Sequence, residues 1–253
     1  VSNWDTSHVN ATEEFYTDSY LGDAAGIFSG CSSLVSLDLH KWDSSGFINV
    51  QEMFRECSSL TSLNLTGWNP KYSTSYYMLF SECTNLTSVD TSLWTGTSAT
   101  NTDYMFYDCE KLTKIDLGKF NASNVTSSDA MFYNCKAATS INLSSFNTKN
   151  DVRMGRMFML CESLTILDLS AFDTRNVEDM SNMFQACTNL TTLDISSFRT
   201  PKLKHLTTAF TSCYKLQSVS MENFDFTNVE DMNSMFSNCV QLNAFLTIRG
   251  TKL

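Results

Sequence analysis

The sequence predicts a right-handed α/β solenoid of about nine repeats, with a parallel inner sheet and short outer helices. All nine cysteines are spaced 26 residues apart, and a phenylalanine stands three residues before each of them. A fixed period of this length is typical of solenoids, in which each repeat stacks on its neighbours. Parallel strands joined by crossover segments wind with a right hand. The two strictest columns are Cys31, Cys57, Cys83, Cys109, Cys135, Cys161, Cys187, Cys213 and Cys239, and Phe28, Phe54, Phe80, Phe106, Phe132, Phe158, Phe184, Phe210 and Phe236.

Each repeat contains signals for one strand and one helix. Residues 190–195 read L-x-x-L-x-L, and the last four alternate between apolar and polar positions as a half-buried strand does. The segment 176–187 spaces its apolar residues as one face of a helix, with Asn176 as the N-cap. Eleven residues after each cysteine an aromatic column completes the core: Trp42, Trp68, Trp94, Phe120, Phe146, Phe172, Phe198 and Phe224.

The composition is that of a chain that can bury a core, and it limits the classes of partner that we expect. The chain has 253 residues, is 42% hydrophobic and contains only 2 prolines, so we expect one repeat solenoid over residues 1–253. Its regular part is 31–239, residues 1–30 form an atypical first repeat with an insertion, and 240–253 form the last strand, as a cap or a continuation. The net charge of −10 opposes nucleic-acid binding. No apolar run reaches the roughly 20 residues of a membrane span.

The motif M-F-x-x-C-x-x-L-T-x-L-D-L-S-x-F-D-T-x-N-V-x-x-M is read almost verbatim from Met157 to Met180. It resembles the repeat of the BspA-like leucine-rich repeat surface proteins, and the resemblance covers nearly the whole chain. It implies a leucine-rich-repeat-type solenoid or horseshoe without enzymatic activity. It also implies an extracellular location at a cell surface and a role in adhesion.

The cysteine column admits disulfides, a soft-metal site or inert buried thiols. Equivalent residues in stacked coils lie within reach of each other, but their Cα–Cβ vectors run parallel, which opposes disulfide geometry. No C-x-x-C or Cys–His spacing of a zinc site occurs. We therefore expect free core thiols, no metal and no cofactor. No catalytic motif is present either, so we expect no enzyme.

Polar columns on the sheet face are the candidate contacts for a protein or glycan partner at a cell surface. The alternatives for the acidic column are a solvated face and a calcium site. A second polar column, from Asp43 to Asp225, is expected to bond backbone amides at the turns. A threonine column is expected to hydrogen-bond along the stack, with ice binding as its alternative. The candidate partner-binding residues are Asp38, His40, Asp90, Lys114, Asp116, Asp168 and Asp194.

Glycosylation and self-association are further expectations. Seven N-x-Ser/Thr sequons would carry glycans in a eukaryotic secretory setting: Asn10, Asn64, Asn85, Asn121, Asn124, Asn142 and Asn189. Because the exposed end of a solenoid must be capped, continued or paired, a competing hypothesis is a structural subunit of an extracellular filament or surface coat assembled end to end. The contacts expected for this assembly are Trp4, Leu246 and Ile248.

Overall fold

The computed structural model describes residues 22–243, which form one stack of coils with a continuous core. Six three-residue strands lie on one side of the stack and pair in parallel as β1 with β2, β3 with β4 and β5 with β6. Each pair joins residues 26 positions apart, as in Leu37 opposite Leu63. The strands are β1 (Ser36–Asp38), β2 (Ser62–Asn64), β3 (Lys114–Asp116), β4 (Ser140–Asn142), β5 (Thr192–Asp194) and β6 (Ser218–Ser220). The prediction of a repeat solenoid with parallel inner strands is confirmed.

The predicted outer helices are wrong for the part of the chain that the structure describes. The segment 176–187, for example, consists of turns and one bridge residue. The only helical element within residues 22–243 is a 3-10 turn at Ser44–Gly46. Parallel bridges connect the same position of successive coils, from Asp179 to His205 and from His205 to Asp231 among others. The side of the stack that was expected to carry helices is therefore a second hydrogen-bonded ladder, which we call the turn ladder.

Backbone hydrogen bonding explains why a helical spacing gives turns here. In the coil of Cys187, the amides of Asn182, Phe184 and Ala186 donate to carbonyls 25 residues later, at 2.8–2.9 Å. The intervening amides of Met183 and Gln185 bond back three residues within their own coil. An α-helix would instead direct every amide to its own segment. Half of the donors thus hold neighbouring coils together.

Each coil requires two residues in the left-handed region of backbone space. These residues lie five positions and one position before the cysteine, as with Asn182 (φ 60°) and Ala186 (φ 59°). Two such residues so close together are incompatible with a continuous α-helix. In the coil of Cys31 both positions are glycine, Gly26 and Gly30, which is the residue type that adopts this conformation most readily. These glycines are the sequence signal for paired turns that the helical periodicity concealed.

The phenylalanine column forms an uninterrupted stack through the described coils. Ring centroids of successive phenylalanines lie 5.0–5.8 Å apart, and their planes differ by 21° at most. The inner rings, such as Phe106, Phe132 and Phe158, are fully buried. Equivalent side chains therefore contact their counterparts one coil away, as the fixed period predicts.

The second aromatic column is rearranged around one coil. Trp94 packs on Tyr76 and Phe80, with centroids 5.9 and 6.1 Å away, and Phe120 meets Tyr76 edge-on at 5.2 Å. Gly96 makes room for this arrangement, since its φ is +57° and an added Cβ would lie 2.4 Å from the Phe120 ring. No strand forms at residues 88–90 in this coil, which lies between the coils of β2 and β3, so these two strands belong to separate sheets.

A buried polar network replaces apolar residues in the middle of the stack. Asp151 occupies the column that holds Val125 and Val177 in neighbouring coils, and its carboxyl is fully buried. Its Oδ2 accepts a hydrogen bond of 2.5 Å from the Ser128 hydroxyl, and its Oδ1 accepts one of 3.1 Å from the Arg153 amide. Burial raises the pKa of Asp151 to about 7, although the bond from Ser128 opposes this shift.

We expect truncation of the phenylalanine stack to be strongly destabilising. Phe132→Ala removes a buried ring between two stacked neighbours and should lower the free energy of unfolding by about 3–5 kcal/mol. Urea denaturation followed by circular dichroism measures this loss. Lys114→Ser is the matched control, because serine stands at the equivalent exposed position in β1, β2 and β4, and we expect a change within about 0.5 kcal/mol. Similar losses for the two variants would contradict the role of the stack.

The buried carboxyl of Asp151 should make stability fall as the pH rises. In the unfolded chain it loses its proton near the ordinary value of 3.8, whereas in the folded chain the pKa is about 7. The unfolded state is therefore favoured increasingly between these values, by about 3 kcal/mol from pH 5 to pH 8. The double variant Asp151→Val with Ser128→Met places valine and methionine, the residue types of neighbouring coils, at these positions. Over the same pH range its free energy of unfolding should fall by about 3 kcal/mol less than that of the parent. Equal pH dependence of the two proteins in urea titrations would refute this assignment.

Candidate interaction surface

The acidic column lies on the strand side of the stack, and turns fix its side chains. Asp38, Asp90, Asp116, Asp168 and Asp194 are all exposed. In each, Oδ1 accepts a hydrogen bond of 2.9–3.1 Å from the backbone amide two residues later. Such Asx turns fix the side chain in every one of these coils, at the end of a strand for Asp38, Asp116 and Asp194 and without a strand for Asp90 and Asp168. The column is therefore a row of positioned carboxylates.

A serine two residues after the aspartate is the sequence signal for these Asx turns. Three of the aspartates are followed two residues later by serine, as in Asp90 and Ser92, where the serine hydroxyl also donates to Oδ1 at 2.7 Å. The bond from the Ser196 amide and hydroxyl lowers the pKa of Asp194, and Ser170 does the same for Asp168. With their pKa values lowered, the carboxylates of Asp168 and Asp194 stay charged at neutral pH.

The candidate partner-binding residues do not form one cluster. His40 Nδ1 lies 2.6 Å from Asp38 Oδ1 in the same coil, and its hydrogen bond lowers the pKa of Asp38. Asp116 accepts a bond of 2.8 Å from Asn142 Nδ2 in the next coil. Lys114 is exposed in β3, two residues before Asp116. The candidates therefore form a row along the stack, without a pocket that converges on one point.

The second polar column and the threonine column act within the stack, as expected. Asp43, Asn121, Asn147, Asp173 and Asp225 each accept a bond from the amide two residues later. Asn69 differs, because its Oδ1 accepts from the Thr95 amide of the next coil. The hydroxyls of Thr61, Thr87, Thr139 and Thr191 donate to backbone carbonyls 26 residues earlier. The threonines and Asn69 therefore connect neighbouring coils, whereas the other five side chains fix turns within their own coils.

The cysteines are free, and all except Cys31 and Cys239 are buried. From Cys57 onward, each Sγ donates to the carbonyl of the phenylalanine 29 residues earlier, at 3.0–3.3 Å. Burial raises the pKa of the Cys57 and Cys187 thiols to about 12. The seven buried thiols are thus protonated donors in the core, which agrees with the expectation of free thiols.

The sequon asparagines occupy different environments. Asn85 and Asn189 donate their amide nitrogens to the carbonyls of Ser58 and Glu162, at 2.6 and 2.7 Å, and both are half-buried. Asn124 and Asn142 also use Nδ2 in bonds to the preceding coil, although both are exposed. At Asn64 and Asn121, Oδ1 accepts from the local backbone. At these four asparagines whose Nδ2 donates a hydrogen bond, a glycan would be attached to that same nitrogen.

Several candidate residues lie outside the described residues, namely Asn10, Trp4, Leu246 and Ile248. Within residues 22–243, no group of three or more His, Cys, Asp or Glu side chains is arranged to hold a metal ion. No helix in this part of the chain has the length and apolarity to cross a bilayer.

Comparison with known proteins agrees with a leucine-rich repeat fold. A leucine-rich repeat protein from Bacteroides ovatus is similar in structure, with a TM-score of 0.53 and 19% identity. The similarity covers 87% of this chain and 56% of that one, so this chain spans little more than half of its length. A leucine-rich cell surface protein from Faecalibacterium prausnitzii gives a TM-score of 0.29 at 18% identity, over 87% of this chain and 74% of that chain. At these identities the likeness concerns the fold alone.

The search of curated proteins found no match to this chain. A family model, however, matches it twice, over residues 22–141 and 136–248, which together include most of the chain. The two matches cover the coils that carry the phenylalanine stack and the cysteine column. The chain belongs to the family described as Mycoplasma protein of unknown function, DUF285.

Proposed function

We propose that this chain is a non-enzymatic extracellular scaffold that binds a protein or a glycan at a cell surface, as an adhesin of the BspA-like type. The observation that carries the proposal is the row of exposed, turn-fixed carboxylates and amides along the strands. Polar groups held in place by backbone hydrogen bonds lose little freedom when a partner contacts them. An extended row suits a partner that touches several coils at once.

The distribution of reactive groups also favours binding over catalysis. Seven of the nine thiols are buried, and each of these donates to a backbone carbonyl. The buried carboxyl of Asp151 is likewise enclosed in the core. The exposed candidates are separated along the stack, so they present a surface without the convergent acid, base and nucleophile of an active site.

End-to-end assembly into a filament or surface coat is the second candidate function. In the last coil that the structure describes, Met232 is 38% exposed, whereas Met154 and Met180 at the equivalent positions are buried. An exposed core position is an apolar surface that either a further coil or a second copy would cover. Electron microscopy at rising protein concentration tests this candidate: rods support it, and single short particles at all concentrations refute it.

Neutralising the acidic row should weaken binding to cells. Asparagine at positions 90, 116, 168 and 194 keeps the Asx turn, because Asn64 and Asn142 make the same turn in this column. For the variant with Asp90→Asn, Asp116→Asn, Asp168→Asn and Asp194→Asn we expect at least about tenfold weaker binding, since the row loses its charge. The measurement is binding of fluorescently labelled protein to a cultured epithelial monolayer.

The matched control changes the second polar column instead, by Asp43→Asn, Asp173→Asn and Asp225→Asn. This variant should bind to the cells as the parent does. Antibody labelling of intact expressing cells tests the location separately. Lack of saturable binding by the parent, or equal weakening in both variants, would refute the proposed surface. Labelling only after permeabilisation would refute the extracellular location.

A further inference from the structure

A cluster of four tyrosines lies on the turn ladder, away from the strand face discussed above. Tyr107 and Tyr133, in adjacent coils, stack with ring centroids 4.6 Å apart and planes 9° apart. Tyr104 lies 5.5 Å from Tyr107 and meets Tyr77 edge-on at 6.1 Å. All four rings are half-buried. We call Tyr77, Tyr104, Tyr107 and Tyr133 the tyrosine patch.

The fold does not require tyrosine at these positions. Two residues before the cysteine, where Tyr107 and Tyr133 stand, other coils carry Ser29, Ser81 and Ser237. Five residues before the cysteine, at the position of Tyr104, other coils carry residues as different as Gly26 and Ala130. Core packing sets the phenylalanine column, but it leaves this surface column free to vary. Clustered aromatic rings at variable surface positions are typical of binding surfaces.

The turn segments that carry the patch contain charged residues of one sign, while Arg156 and Lys136 are the cations that act on Tyr104 and Asp108. The turn segments 75–83, 101–109 and 127–135 contain Glu82, Asp103, Asp108 and Asp129, and no Lys, Arg or His. Arg156 of the next coil pairs with Asp129 at 2.6 Å, and Asp103 is buried. Glu82 and Asp108 remain half-buried carboxylates that form no salt bridge within residues 22–243.

A depression adjoins the patch at Glu82. It has a volume of about 290 Å³ and crosses three coils, with Glu56 and Glu82 as its carboxylates and Ser32, Ser58 and Thr84 as its hydroxyls. Arg55 lies 2.7 Å from Glu56 and compensates its charge. The lining therefore combines hydrogen-bond acceptors with the carboxylate of Glu82, which is not in a salt bridge with a described residue. Its charge is complementary to that of a lysine or arginine side chain.

We propose that the tyrosine patch and the adjoining depression bind a lysine- and arginine-rich segment of a protein partner. Cationic side chains stack on tyrosine rings, and arginine does so especially well because its guanidinium is planar. Tyr107 and Tyr133 supply the rings, while Glu82 and Asp108 supply the opposite charge. This surface is separate from the acidic row on the strands, so the inference stands or fails independently of the proposed function.

Fluorescence anisotropy with fluorescein-labelled octa-arginine tests the proposal on the full chain. We expect saturable binding that weakens with added salt and is absent for octa-citrulline, which keeps the shape of arginine without its charge. Tyr107→Ser with Tyr133→Ser, and Glu82→Gln with Asp108→Asn, should each weaken binding by about tenfold or more. The chosen residues are mild for the fold, because other coils carry serine at the positions of Tyr107 and Tyr133 and asparagine at that of Asp108, and glutamine keeps the size of Glu82.

The matched control is Asp43→Asn with Asp225→Asn in the second polar column, where Asn121 and Asn147 make the same turn; it removes the same charge and should leave the affinity within about twofold. Circular dichroism and urea midpoints verify that each variant is folded. Three outcomes would overturn the proposal: no saturable binding by the parent, equal weakening in the control, or parental affinity in the tyrosine variant. Saturable binding of a neutral oligosaccharide, without binding of octa-arginine, would assign the patch to glycans and also overturn it.

Discussion

The structure depends on strict superposition of equivalent positions, 26 residues apart, along one stack. Alternate amides of the turn ladder donate to the following coil, while the phenylalanine rings behind them stack at 5.0–5.8 Å. The cysteine thiol adds a third connection, because it donates to the carbonyl of a phenylalanine in the preceding coil. Neither strands of three residues nor isolated turns are stable alone, so each coil is held by its neighbours.

Much of this architecture follows from the sequence, because the 26-residue period specifies which residues contact each other in adjacent coils. The contact between Phe106 and Phe132, the pairing of Leu37 with Leu63 and the exposure of the aspartate column were all predictable from the register. The outer helices were predicted wrongly. Spacing by three and four residues places apolar side chains on one side both of a helix and of successive tight turns, and only backbone conformation distinguishes the two. Gly26 and Gly30 carried that information in one coil.

The surface was harder to predict than the core, because packing does not restrict the side chains there. The aspartates of the strand face could be found by column, but their use in Asx turns depended on local backbone geometry. Contacts among Tyr77, Tyr104 and Tyr107 join different columns of adjacent coils, so a search column by column does not reveal them. Asp151 was recognisable as a departure from the valine column, whereas its partner Ser128 became evident only when the coils were superposed.

The register also constrains how such a chain can change over evolution. Adding or removing one residue within a coil would displace every later phenylalanine, cysteine and paired amide relative to its counterpart. Gain or loss of a whole repeat preserves each of these matches, since the phenylalanine, cysteine and turn-ladder contacts recur from coil to coil. Genetic variation should therefore alter the number of units far more readily than the length of any unit, and recombination between repeats supplies such variation.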